Sequence, residues 1–185
     1  MSTIIKKEED LYAVVKLKLF RKTPGVIFDQ YPMGTLSHIS SIDRVLHEKS
    51  AQSPGAIEDV KTTWYMHPNQ EDHLIVFYGE RHVWLYTKEH GKVEEFIVKP
   101  NEIYHNGELI VEGGAVLTWP TNVFHRIRSG ENGSASLNLA THTEGFDIKT
   151  NFNIYDLDIE TGNYKLLKYG YEDQLWFYNK MNISI

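Results

Sequence analysis

Turn signals recur along this chain every eight to twelve residues, and the runs between them are short, β-branched and aromatic. "TPG" (23–25), "GE" (79–80), "EHGK" (89–92), "HNGE" (105–108) and "IETG" (159–162) punctuate it. Between and around them lie the strand-like runs "YAVVKLKLF" (12–20), "GVIFDQY" (25–31), "DHLIVFY" (72–78), "RHVWLYT" (81–87) and "VEEFIV" (93–98). "AVLTW" (115–119), "VFHRIRS" (123–129), "ASLNLAT" (135–141), "NFNIYDLD" (151–158) and "NYKLLKYG" (163–170) continue the series. Gly79-Glu80 is expected to turn the chain between two strands, and Asn-Gly at 106–107 tolerates the positive φ of a tight hairpin. "SIDRVLHE" (41–48) is ambiguous, because Ile42, Val45 and Leu46 have helical spacing in a short β-branched segment. Eight to eleven short strands with little helix predict an all-β fold, an antiparallel sandwich or barrel.

With 185 residues and no internal repeat or low-complexity linker, the chain reads as a single domain over 1–185. Its 41% hydrophobic and 24% charged content supports a packed core, and 11 Tyr, 8 Phe and 4 Trp favour strands. Net charge is −6 with no basic block, which argues against nucleic acid or an anionic membrane as partner. The absence of cysteine excludes disulfide frameworks, thiolate zinc sites and cysteine nucleophiles. "MSTIIKKEEDLYAVV" has no signal-peptide core, and apolar runs stop at about five residues, too short for a membrane span. A soluble cytoplasmic protein is the expectation.

The polar stretch "HPNQEDH" (67–73) leads straight into the apolar run 74–78 and brings His67, Glu71, Asp72 and His73 within seven residues. Further on, "GAVLTWPTNVFHRIRS" reads Gly114, five residues, Pro120, one residue, Asn122, two residues, His125, three residues, Ser129. That spacing resembles the second signature of the cupin superfamily, G-x5-P-x-G-x2-H-x3-N. Asn122 replaces a glycine, a mild change since both tolerate left-handed backbone, and Ser129 replaces the asparagine. The first signature, G-x5-H-x-H-x3,4-E-x6-G, is matched in a degenerate way: Asp72 stands for the glutamate seven before Gly79, His67 for the second histidine, and Tyr65 for the first.

The resemblance spans about 40–142 and implies a double-stranded β-helix, the cupin jelly-roll barrel of RmlC-like proteins. Extensions of 1–39 and 143–185 would flank that core. Strand alternation would point Tyr65 and His67 to the same face, with His125 closing the group from a distant strand. His67, Asp72 and His125 then form a candidate metal set for iron, manganese, nickel or zinc. Alternatively, no cofactor is needed, and His67, Tyr65 and Asp72 form a catalytic set for proton transfer. Gln70 and Trp119 are candidate substrate contacts, Trp119 as cavity wall. Glu71 and His73 should face away from Asp72, and Arg126 and Arg128 away from His125. The plainer alternatives are a histidine bonding across a strand end and an aspartate forming a turn. His38, His47, His82, His90, His105 and His142 are read as surface or structural.

The resemblance leaves three functions open, all on a small polar ligand: a carbohydrate isomerase or epimerase, a metal-dependent oxygenase-type enzyme, and a non-catalytic binder. The aromatic tail Trp176, Phe177 and Tyr178 needs cover by its own barrel or by a second copy, and with the resemblance it implies a homodimer.

Overall fold

The computed structural model describes residues 3–36 and 38–174, so the aromatic tail at 176–178 lies outside the described residues. Within them the chain is built almost wholly of strands. β1 (Ile4–Glu8) pairs with β2 (Tyr12–Lys16). The strand expected over 12–20 breaks at Leu17, so β3 (Lys18–Thr23) and β4 (Val26–Gln30) form a separate two-stranded sheet. That small sheet leaves Leu19, Phe20, Ile27 and Phe28 exposed.

The ambiguous segment is a strand, β5 (Ser41–His47), whose backbone is fully paired along its length. β6 (Gln52–Ser53), β7 (Trp64–Met66) and the long β8 (Gln70–Tyr86) follow. β9 (Glu94–Lys99), β10 (Glu102–His105) and β11 (Glu108–Glu112) meander, with Asn106 (φ 49) and Gly107 (φ 85) making the expected tight turn. β12 (Ala115–Trp119) precedes the 19-residue β13 (Phe124–His142). A single helical turn, α1 (Ile148–Asn151), leads to the hairpin of β14 (Ile154–Leu157) and β15 (Tyr164–Lys168). Among the described residues no helix is long and apolar enough to cross a membrane.

The fold hangs on β8 and β13, which pair antiparallel from Phe124↔Tyr86 to His142↔Gln70. Two pairs of runs expected as separate strands are thereby corrected: 72–78 and 81–87 lie on one strand, with no reversal at Gly79-Glu80, as do 123–129 and 135–141. The reason is local. Gly79 takes φ +66 and faces the backbone of Gly133, itself at φ +69, so both strands bend at one level instead of reversing. The first half of β8 continues into β12 and β2, with β5 beyond β13. The second half continues into β9 and β10, with β7, β14 and β15 beyond β13.

The bend also switches which residues face inward. Before it, Asp72, Leu74 and Val76 are buried; after it, Arg81, Val83 and Leu85 are buried, five residues on instead of four or six. Apolar side chains of both halves make one core that includes Val14, Leu74, Val83, Phe96, Ile103 and Leu117. A second cluster, Trp64, Tyr86, Phe124, Tyr155 and Leu157, lies under the β14–β15 hairpin.

His90 and His105, which the sequence left unconnected, are joined through the buried Glu94. Its carboxylate accepts from His90 Nε2 (2.7 Å), His105 Nε2 (2.6 Å) and Asn106 Nδ2 (2.7 Å), and pairs with Lys92 Nζ at 2.9 Å. Burial works to raise the Glu94 pKa, but these donors override it and hold it at about 2. The role is structural, as expected for these histidines.

Candidate functional site

Tyr65, His67, Gln70, Asp72, Trp119 and His125 all line one cavity of about 220 Å³. Sequence spacing therefore identified residues that the fold brings together. Glu71 and His73 face a different surface, as alternation requires, and line a separate depression with Leu11 and Tyr12. Arg126 also points away: its guanidinium lies over Trp84 at 4.3 Å and Trp64 at 5.3 Å from the ring centres.

β7 delivers Tyr65 and ends just before His67. The turn 120–123 then clips onto it, since Asn122 N–H donates to the His67 carbonyl at 2.8 Å. Asn122 has φ +64, so this position does require the left-handed region where the signature has glycine. Asn122→Gly should change stability by less than about 1 kcal/mol, whereas Asn122→Val should cost about 1–2 kcal/mol. Urea denaturation of the two variants checks this.

His67 Nδ1 donates to the backbone carbonyl of Asn151 in α1, which leaves Nε2 as the lone-pair nitrogen. His125 is held the same way, its Nδ1 donating to the Val123 carbonyl at 3.1 Å. The two imidazole rings lie 4.6 Å apart, centre to centre, with His67 Nε2 at 3.6 Å from Asp72 Oδ2. Asp72 Oδ1 accepts from Gln70 Nε2 (2.8 Å) and Asn138 Nδ2 (2.5 Å), while Gln70 Oε1 accepts from Asn151 Nδ2 at 2.9 Å. Gln70 thus bonds to Asp72 and Asn151 rather than standing free in the cavity. Asp72 Oδ2 is buried with no hydrogen-bond partner.

Tyr65 stacks over His67 (6.2 Å, 21° between planes), Trp119 flanks His125 at 5.2 Å, and Phe152 meets His67 edge-on at 5.2 Å. Burial raises the Tyr65 pKa against a lowering bond from Ser53, so its hydroxyl stays protonated at neutral pH. Burial, and then the neighbouring His67, push the His125 pKa down to about 4, with Asp72 opposing.

Ligand atoms of His67, Asp72 and His125 lie within 4.8 Å of one another. A divalent cation fits this set. Two imidazole nitrogens and a carboxylate oxygen converge, each imidazole is oriented by a backbone carbonyl on its other nitrogen, and the buried Oδ2 has no hydrogen-bond partner.

Sequence reasoning missed Asp43, His47, Arg81, Asn138 and Phe152, which complete the cavity wall. Arg81 and Asn138 lie past the bends in β8 and β13, where simple alternation from Asp72 or His125 gives the wrong face. His47 ends β5, and burial, then Arg81, push its pKa down to about 4.

In protein stripped of metal, stability should fall as pH drops from 6.5 toward 4. His125 takes up its proton near 6.5 when unfolded but only at about 4 when folded, so the unfolded chain binds protons first. This stability is complete above pH 6.5 and is lost across that window, on the order of 3 kcal/mol for His125, with His47 adding the same sign. Urea midpoints measured in chelator between pH 7 and 4.5 should show the slope, and His125→Gln should reduce it to the part that His47 contributes.

No protein-family model matches the chain, and no curated protein matches its sequence. In structure it is similar to QdtA, a sugar 3,4-ketoisomerase from Thermoanaerobacterium thermosaccharolyticum solved in complex with TDP. The TM-score is 0.50 at 14% identity, covering 74% of this chain and 82% of that chain. The fold is the cupin jelly roll. The TDP-quinovose 3,4-ketoisomerase WlaRB from Campylobacter jejuni gives a TM-score of 0.49 at 13% identity, with 74% and 87% covered. In this fold the β8–β13 pair carries the strands from one half of the jelly roll into the other, and the cavity lies on its inner face.

Proposed function

We propose that the cavity is the active site of a carbohydrate isomerase or epimerase that moves a proton on a carbon next to a carbonyl group. The observation that carries this reading is the state of His67. Its Nδ1 is committed to the Asn151 carbonyl, while Nε2 faces the cavity with the Asp72 carboxylate 3.6 Å away. A nitrogen so placed is within reach of a substrate C–H in the cavity, with a carboxylate beside the ring to hold it.

In this mechanism His67 takes the proton from the carbon, and the electron pair moves onto the carbonyl oxygen to give an enediolate. The protonated hydroxyl of Tyr65 then returns a proton to carbon; His67 releases its own to solvent, from which Tyr65 is recharged. Asp72, itself held by Gln70 and Asn138, steadies the imidazolium. His125 stays neutral and accepts a hydrogen bond from a substrate hydroxyl. Trp119 and Phe152 supply apolar walls suited to the C–H faces of a sugar ring. Arg126 points away from the cavity, which leaves Arg81 as its one permanent cation among the described residues, with Asp43 and Asp72 also lining it. This favours a simple sugar over a nucleotide diphosphate. The test is proton NMR of keto-sugars and aldoses incubated with the enzyme in D2O. Loss of a substrate C–H signal supports the reading, and a binder without catalysis leaves every C–H signal intact.

The orphaned Asp72 Oδ2 favours a second reading, a metal-dependent enzyme of oxygenase or related type. A divalent cation held by His67, Asp72 and His125 would supply Lewis acidity to a bound carbonyl or a centre for oxygen chemistry. Elemental analysis of untagged protein beside His125→Ala tests it. One ion per chain, lost in the variant, supports the metal; none after incubation with iron, manganese, nickel and zinc removes it.

A further inference from the structure

Arg81 is the cavity's unexplained charge. It is 2% exposed and lines the same cavity as His67 and His125. Its Nε donates to Ser134 Oγ at 3.1 Å and one terminal nitrogen to the Val45 carbonyl at 3.2 Å, both neutral acceptors. Among the described residues no carboxylate lies within ion-pair distance of it, although two share its cavity. Asp43 accepts instead from Ser41 (3.1 Å) and Asn138 (3.5 Å), and Asp72 from Gln70 and Asn138. A guanidinium keeps its charge at neutral pH even when buried, and burying it unpaired is expensive. It has five N–H donors in a fork that matches a carboxylate, and two are committed here.

We propose that the substrate is an acid, and that Arg81 docks its carboxylate. This rests on the reading of the cavity as a substrate site and narrows the substrate to sugar acids, or other hydroxy or keto acids of similar size. The charge count favours a carboxylate over a phosphate. Arg81 is the cavity's one permanently cationic residue among those described, His47 beside it is neutral, and Asp43 and Asp72 would repel a dianion. His47 Nδ1 is also buried without a partner and is a second polar contact on this wall.

The test is a thermal-shift titration with matched acid and neutral pairs, glucuronate against glucose and galacturonate against galactose, together with lactate and pyruvate. At least one acid should raise the wild-type Tm by several degrees at saturation, while the neutral partners leave it unchanged. Arg81→Gln should weaken the acid on the order of a hundredfold, and Arg81→Lys should weaken it less. If Arg81→Gln does not fold, Ser134→Asp serves instead. It places a carboxylate beside Nε, so it should keep the protein folded and abolish the response to acids. His67→Ala should retain the acid-induced shift, which separates failure of docking from failure of the proposed catalysis. The inference is overturned if neutral sugars stabilise as well as their acids, if no acid in the panel shifts the wild type, or if folded Arg81→Gln or Ser134→Asp binds acids like the wild type.

Discussion

Gly79→Ala should destabilise the protein by about 3–5 kcal/mol, the largest expected effect of a single added methyl group in this chain. At Gly79 a Cβ would sit 2.0 Å from the carbonyl oxygen of Gly133 and 3.2 Å from Cα of Ser134. Both are backbone atoms of the paired strand, so neither can swing aside. The residue also holds φ +66, which alone costs an L-amino acid about 1–2 kcal/mol. Relief requires parting β8 from β13 at the bend that joins the two halves of the jelly roll. Urea denaturation reads the loss, and Gly55→Ala, where nothing lies within 4 Å of the added atom, is the control expected to stay within about 0.5 kcal/mol. A Gly79→Ala protein as stable as wild type would mean that the central pair does not bend as described.

The second large effect falls on activity. His67→Ala should lower turnover by about 10²–10⁴-fold, the range in which a positioned general base contributes. The fold should survive, because β7 is anchored through backbone bonds, among them Asn122 N–H to the carbonyl of residue 67. Asp72→Asn should also be slow but should still fold, since Gln70 and Asn138 retain an oxygen to bond. Tyr65→Phe keeps the ring stacked on His67 and removes only the hydroxyl, so it separates packing from proton return. Equal turnover in wild type and His67→Ala would remove histidine from the mechanism.

Much of this site was legible because its spacing reflects elementary strand geometry. Tyr65 and His67 share a face through period-two alternation, Gln70 and Asp72 share the next, and the Asn122 turn sets the start of the strand bearing His125. What stayed hidden lay beyond the bends. Counting by twos from Asp72 puts Arg81 outside, yet the extra residue at Phe77, unmatched between Val76 and Tyr78, reverses the phase and buries it. Ser134, Ser136 and Asn138 are likewise inward only because β13 slips register between Ser129 and Ser134. A glycine beside charged residues looks the same in sequence whether it ends a strand or bends one. That is why two continuous strands were each read as two separate ones. Asn151 and Phe152 were hidden for another reason: a helix of four residues is too short for periodicity to reveal.

The most direct test of the account is solvent deuterium incorporation into the substrate by metal-stripped wild type beside His67→Ala, in D2O with chelator present. The account expects the wild type to place deuterium on the carbon next to the carbonyl, indifferent to chelator, and His67→Ala to lose that exchange while remaining folded. Exchange that vanishes with chelator and returns with iron, manganese, nickel or zinc, or that persists in His67→Ala, would contradict it.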